Sequence, residues 1–177
     1  FLINAQETEE EVFTIINKIP TTPIVNQYRS NTCWSYTTLG LFETELIKER
    51  HQECQLSKMF IVYYTYIDKA ELYIRMHGKI NFSSGGALND VFYIIQKYGI
   101  VPYDVYKGTK NGNLPDHIQM EALLLSYLND LIKKNQIPKD WKNRFIEILD
   151  EYMGAPPVKF TYEGKEYTPI KIGRAHV

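Results

Sequence analysis

The chain has 177 residues, a net charge of −1 and 44% hydrophobic residues, which is the profile of an ordinary globular domain. A charge so close to zero argues against nucleic acid or an anionic membrane as the partner. No apolar run approaches the ~20 residues that a membrane-spanning helix needs. Two cysteines, Cys33 and Cys54, exclude a disulfide-rich scaffold. They share no ligand spacing with the four histidines, so we expect no metal site and no cofactor.

Both ends of the sequence carry segments that we set apart from the folded region, which we place at residues 6–171. Residues 1–5 are apolar and end in alanine, like the tail of a secretory signal peptide. They predict export to a bacterial periplasm or secretion, and a cytoplasmic protein is the alternative. Residues 172–177 match one reading frame of a common sequencing adapter, so we interpret them as adapter-encoded.

Five helices and one hairpin are expected along the chain. The helices rest on apolar residues that recur every three or four positions, and Ser57 is suited to cap the second of them. A turn at Glu163-Gly164 between short alternating segments predicts the hairpin. The helices are placed at about residues 32–50, 57–80, 88–98, 119–135 and 139–153, and the hairpin at residues 160–168.

The candidate catalytic residues lie in and after the loop that leads to Cys33, at the predicted start of the first helix. Unpaired N–H groups and the helix dipole favour a thiolate at that position, and a thiolate attacks carbonyl carbon directly. Gln27, six residues earlier, carries an amide that can donate to a developing oxyanion beside the Cys33 N–H. From composition alone, Cys33 would instead be a buried core cysteine and Gln27 a surface residue.

The order of residues resembles the nucleophile motif of the papain family of cysteine peptidases. That motif has glutamine, five residues, and then cysteine-tryptophan, as in Gln27 and Cys33-Trp34. Asn31 stands where the family usually has glycine, a mild departure because asparagine tolerates positive φ. The segment 83–87, Ser-Ser-Gly-Gly-Ala, and residues 94–106 resemble the family's substrate-cleft loop and the helix after it.

The resemblance implies an α+β, papain-like fold, of which residues 6–171 would form mainly the helical left lobe. The long second helix and an extra helical pair at about 107–155 resemble the bleomycin hydrolase and aminopeptidase C branch, in a bacterial form. Many secreted relatives pair two cysteines at positions that are Ser30 and Ser83 here, so that disulfide is not expected.

The resemblance also implies a function, the hydrolysis of peptide bonds through a thioester. Cys33 would be the nucleophile and Gln27 the oxyanion donor, while Gly85, Gly86 and Trp34 would bind the substrate peptide. The family's catalytic histidine and asparagine follow far downstream, and neither motif is present. We therefore expect an N-terminal fragment that is inactive by itself, from an enzyme compatible with a homo-oligomer.

Two alternatives remain open. One is a catalytically inactive papain-fold module that binds peptides, which would predict a degraded nucleophile motif. The other is a structural helical domain with an incidental cysteine, which leaves the spacing of Gln27 and Cys33 and the glycine loop without an explanation. Aminopeptidase and endopeptidase activity are both compatible with the sequence.

Overall fold

The computed structural model describes residues 14–51, 53–110, 113–134 and 137–176. It is rich in helices and has one small antiparallel sheet, so the predicted α+β class is confirmed. The predicted signal-peptide tail, residues 1–5, lies outside the described residues, and export stays a prediction. The elements are α1 Cys33–Arg50, α2 Lys58–Arg75, α3 Leu88–Tyr98, α4 Ile118–Lys133, α5 Trp141–Met153, β1 Phe160–Tyr162, β2 Lys165–Tyr167 and α6 Pro169–His176.

Helix α2 is the centre of the fold, and it packs against α1, α3, α4 and α5. It starts where predicted, because the Ser57 hydroxyl accepts a hydrogen bond from the Phe60 N–H at 3.1 Å. Most of its residues are buried, including Phe60, Tyr66 and Ala70. The helix ends at Arg75, somewhat before the predicted residue 80, and a turn containing Gly78 follows.

A buried ion pair fixes α1 against the start of α2. Glu43 and Lys58 are 1% and 5% exposed, and the Lys58 ammonium donates to the Glu43 carboxylate. The same carboxylate accepts from the Leu56 N–H at 2.6 Å and from the Thr22 hydroxyl at 2.5 Å. A buried charge is tolerated when it is paired and hydrogen-bonded in this way. The register of α1, and with it the place of Cys33, is therefore set by this contact.

Helices α4 and α5 form the predicted pair and cover α2 from the other side. The apolar stripe of α4 and the facing residues of α5 are buried together. Two tyrosines of α2 reach the pair, since Tyr63 donates to Asp150 at 2.7 Å and Tyr73 donates to Asn129 at 2.8 Å. The pair is thus tied to the core by polar as well as apolar contacts.

The hairpin lies at its predicted place, with Phe160 paired to Tyr167 and the turn at Glu163-Gly164. Helix α6, which follows it, was not predicted. Its first turn is held by Thr168, whose carbonyl accepts from the Ile172 N–H at 3.1 Å. Ile172 is buried, and the adapter interpretation of residues 172–177 stays a prediction.

Candidate active site

Cys33 is the first residue of α1, and its side chain is exposed. Its backbone N–H makes no hydrogen bond to a described residue, so it is available to a ligand. Asn31 has a φ of 54°, the left-handed conformation that the sequence required of a residue replacing glycine. The loop therefore presents an exposed thiol at the N-terminus of a helix.

Gln27 lies in the loop that precedes the nucleophile and is half-buried. Its carbonyl accepts hydrogen bonds from the Ser30 hydroxyl at 2.8 Å and the Ser30 N–H at 3.3 Å, which holds the loop together. Its Oε1 is buried without a partner among the described residues. The amide nitrogen makes no hydrogen bond to a described residue either, so it remains free to donate. An unsatisfied buried amide oxygen is costly, which is typical of a residue placed for function.

The residue after the nucleophile joins α1 to the predicted substrate-cleft loop, residues 83–87. The Trp34 indole Nε1 donates to the Ser84 carbonyl at 2.9 Å, and both residues are buried. The backbone of Gly86 lies against the indole so closely that a Cβ there would be 2.6 Å from Trp34 Cε2. The structure thus brings Trp34 and Gly86 together, two residues that the sequence had assigned to one cleft.

Two residues that the sequence did not single out hold the same loop. Lys69 of α2 donates to the Ser83 carbonyl at 2.9 Å and also to the Gly85 carbonyl. Burial lowers the pKa of Lys69, while nearby carboxylates act in the opposite direction. Glu121 of α4 accepts from the Ser84 N–H at 2.7 Å through its Oε2. The loop is therefore fixed from two helices, and the extra helical pair is part of the cleft.

The histidines do not supply a base at Cys33 within the described residues. His51 and His77 are exposed at the ends of α1 and α2, as predicted. His117 is 3% exposed, and burial lowers its pKa to about 4, so it is neutral at neutral pH. A neutral, buried imidazole does not fit a thiolate–imidazolium pair. Among the described residues, no histidine is hydrogen-bonded to Cys33.

The second thiol has a different environment. Cys54 is half-buried, its Sγ accepts from the Tyr162 hydroxyl at 3.7 Å, and burial raises its pKa. The exposed Cys33 is thus the more accessible of the two thiols. Within the described ranges, no cluster of histidine, cysteine and carboxylate side chains has the arrangement of a metal site. None of the helices described is long and apolar enough to cross a membrane.

Comparisons with known proteins also indicate a relationship to cysteine peptidases. The model of the Peptidase C1-like family matches residues 2–77, which include Gln27 and Cys33. Aminopeptidase C of Lactobacillus delbrueckii subsp. lactis is 23% identical over 191 residues, covering 90% of this chain and 42% of that protein. Aminopeptidase E of Lactobacillus helveticus is 23% identical, with coverages of 84% and 40%.

A mitochondrial protein and a solved structure extend the comparison. Cysteine proteinase 1 of Saccharomyces cerevisiae is 22% identical over 127 residues, covering 62% of this chain and 25% of that protein. The crystal structure of PepW from Lactobacillus rhamnosis has a TM-score of 0.69 at 19% identity and covers 93% of this chain. The chain spans between 25% and 42% of the curated relatives' lengths and 46% of the PepW chain. The fold, the family model and the relatives together support a similarity of this chain to the papain-like bleomycin hydrolase and aminopeptidase C branch of the cysteine peptidases.

Proposed function

We propose that this chain supplies the nucleophile, the oxyanion donor and one cleft wall of a cysteine aminopeptidase. The observation that carries the proposal is the exposed Cys33 at the N-terminus of α1, joined through Trp34 to the glycine loop. Aminopeptidase activity is inferred from the branch. An endopeptidase would use the same nucleophile and the same loop.

The reaction follows from the chemistry of these groups. The Cys33 thiolate attacks the peptide carbonyl, and a tetrahedral oxyanion forms that the Cys33 N–H and the Gln27 amide would stabilise. The oxyanion collapses to a thioester as the C–N bond breaks, and an imidazolium protonates the departing amine. Water then attacks the thioester, which releases the carboxylic acid and regenerates the thiol. One such oxyanion donor typically contributes roughly 100- to 1000-fold to the rate.

In this proposal, the imidazole comes from a histidine outside this sequence. Among the histidines whose side chains are described, His51 and His77 are exposed at helix ends, and His117 is buried and neutral. The relatives are more than twice as long as this chain, which leaves room for a second lobe carrying a histidine and an orienting asparagine. Gly85 and Gly86 would meanwhile align the peptide in extended form along the cleft wall.

The test uses the protein expressed from its complete gene and an unblocked aminoacyl anilide as substrate. We expect Cys33→Ala to lower kcat/KM by at least roughly 1,000-fold, because the covalent step is lost. Cys54→Ala, the matched control, should keep the wild-type rate. A peptidyl epoxide should alkylate Cys33 and spare Cys54, as read by mass spectrometry. Equal labelling of both thiols, or full activity in Cys33→Ala, would contradict the proposal; stoichiometric peptide binding without turnover would favour a binding module.

A further inference from the structure

A cavity of about 220 Å³ opens between the two segments that flank the nucleophile. One wall is Asn31, which precedes Cys33 by two residues, and another is Ser84, whose carbonyl is bonded to the neighbouring Trp34. Helix α4 contributes Ile118, Glu121, Ala122 and Leu125 to the lining, and Arg29 and His117 complete it. The cavity therefore adjoins the loop that leads to Cys33, and the extra helical pair contributes apolar side chains to its lining.

Glu121 contributes a negatively charged carboxylate to the lining of this cavity. Its Oε2 is engaged by the Ser84 N–H at 2.7 Å and the Tyr66 hydroxyl at 3.3 Å. Its Oε1 makes no hydrogen bond to a described residue, and no cation of the described chain lies within ion-pair distance of the carboxylate. One oxygen thus holds the cleft loop, while the other remains available to a ligand.

The other ionisable groups nearby are already occupied or uncharged. Arg29 also lines the cavity, but it is paired with Asp116 at 3.5 Å. Lys69 directs its ammonium to the carbonyls of the cleft loop. His117, the last ionisable group of the lining, is buried, and burial keeps it neutral near pH 7. The uncompensated charge that the cavity presents is the Glu121 carboxylate.

We propose that this cavity binds the side chain of the substrate residue whose carbonyl Cys33 attacks, and that Glu121 selects a lysine or arginine there. That side chain branches one bond from the attacked carbonyl, and the cavity is lined by Asn31, two residues before Cys33, and by Ser84, which is bonded to Trp34. The methylene stem of a basic residue suits the apolar walls, while its cationic head suits the carboxylate. This inference rests on the proposed function and names its substrate class.

The decisive comparison is between a basic substrate and its neutral isostere, arginyl against citrullinyl anilide, with the full-length protein. We expect the wild type to prefer arginine by roughly 10- to 100-fold in kcat/KM, the value of a charge-assisted hydrogen bond. Glu121→Gln keeps an amide oxygen for the Ser84 N–H and removes the charge. It should therefore abolish the preference, so that the arginyl and citrullinyl anilides react with kcat/KM values within about twofold of each other. Glu71→Gln, which removes an ion-paired carboxylate of α2, should leave the preference intact.

A second variant tests the cavity itself. Ala122→Phe fills the space, so it should slow substrates with long side chains and spare alanyl anilide. A wild type without a preference for arginine, or a Glu121→Gln variant that keeps it, would overturn the inference while leaving the peptidase intact. The absence of both turnover and epoxide labelling at Cys33 would overturn the proposed function instead, and this inference with it.

Discussion

At the scale of single residues, His117 is a buried base held in its neutral form. Burial lowers its pKa from 6.5 to about 4, against the opposing effect of the Glu121 and Asp116 carboxylates. Between pH 6.5 and 4, His117 therefore binds a proton in the unfolded chain but not in the folded chain. Acidification through this range destabilises the fold. Above pH 6.5 this residue contributes no pH dependence.

We expect the His117 titration to lower the free energy of unfolding by up to about 3 kcal/mol between pH 6.5 and 4. Urea unfolding across this range measures the effect as the difference between the wild type and His117→Gln, since carboxylates titrate in both. The pH dependence should be shallower in the variant. His51→Gln, which removes an exposed histidine, should match the wild type. Identical slopes in the wild type and His117→Gln would show that the residue is not held neutral.

At the scale of elements, α1 and the cleft loop meet at Gly86. A Cβ at Gly86 would lie 2.6 Å from Trp34 Cε2, whereas one at Gly85 would meet only the Ser83 hydroxyl at 3.7 Å. Gly86→Ala must therefore push the loop or the indole aside, at a cost of about 1–3 kcal/mol. Gly85→Ala should change stability by less than about 0.5 kcal/mol. Chemical denaturation of the two variants gives the comparison, and equal stabilities would contradict the packing of Gly86 on Trp34.

The elements were largely predictable, because their signals are local. The Ser57 cap, the apolar stripes and the Glu163-Gly164 turn each act within a few residues. Helix α6 was missed although Thr168-Pro169 is a helix-start signal, since residues 172–177 had been set apart as adapter-encoded. The nucleophile motif likewise predicted a helix start at Cys33, which is the first residue of α1, and Asn31, a residue type that tolerates positive φ, has a φ of 54°.

The contacts that build the cleft were not predictable in the same way. Lys69 reaches the loop across 14 residues, and Glu121 reaches it across 37. Each residue reads as an ordinary polar position on an amphipathic helix, so no local pattern distinguishes it from its neighbours. The roles of Lys69 and Glu121 depend on how α2 and α4 pack, and this packing cannot be predicted from local patterns in a single sequence.

At the scale of the whole molecule, the chain spans less than half of the length of the proteins that it matches. It is matched over 93% of its length by PepW, yet it covers 46% of that chain. Large apolar side chains are exposed on neighbouring helices, Leu41 on α1 and Leu88 and Phe92 on α3. Such side chains are typical of a surface that another part of the protein covers.

We expect the isolated 177-residue chain not to hydrolyse peptides, because none of the histidines whose side chains the structure describes is placed to activate the thiol and protonate the leaving amine. Release of an aminoacyl fluorophore, measured beside the full-length protein, provides the test. Turnover by the isolated chain that disappears in Cys33→Ala would refute this expectation.

Ser30 and Ser83 have a consequence for how such a protein is handled. The Ser30 hydroxyl lies 2.6 Å from that of Thr32, and Ser83 accepts from Asn81 at 3.1 Å, so each serine makes a local hydrogen bond and neither position carries a thiol. Dithiothreitol, which keeps a thiol nucleophile reduced, does not break these contacts. The cleft wall should therefore tolerate strongly reducing buffers. Oxidants, by contrast, should react with the exposed Cys33 before the half-buried Cys54. A reversible loss of activity in air would therefore indicate oxidation of the Cys33 sulfur.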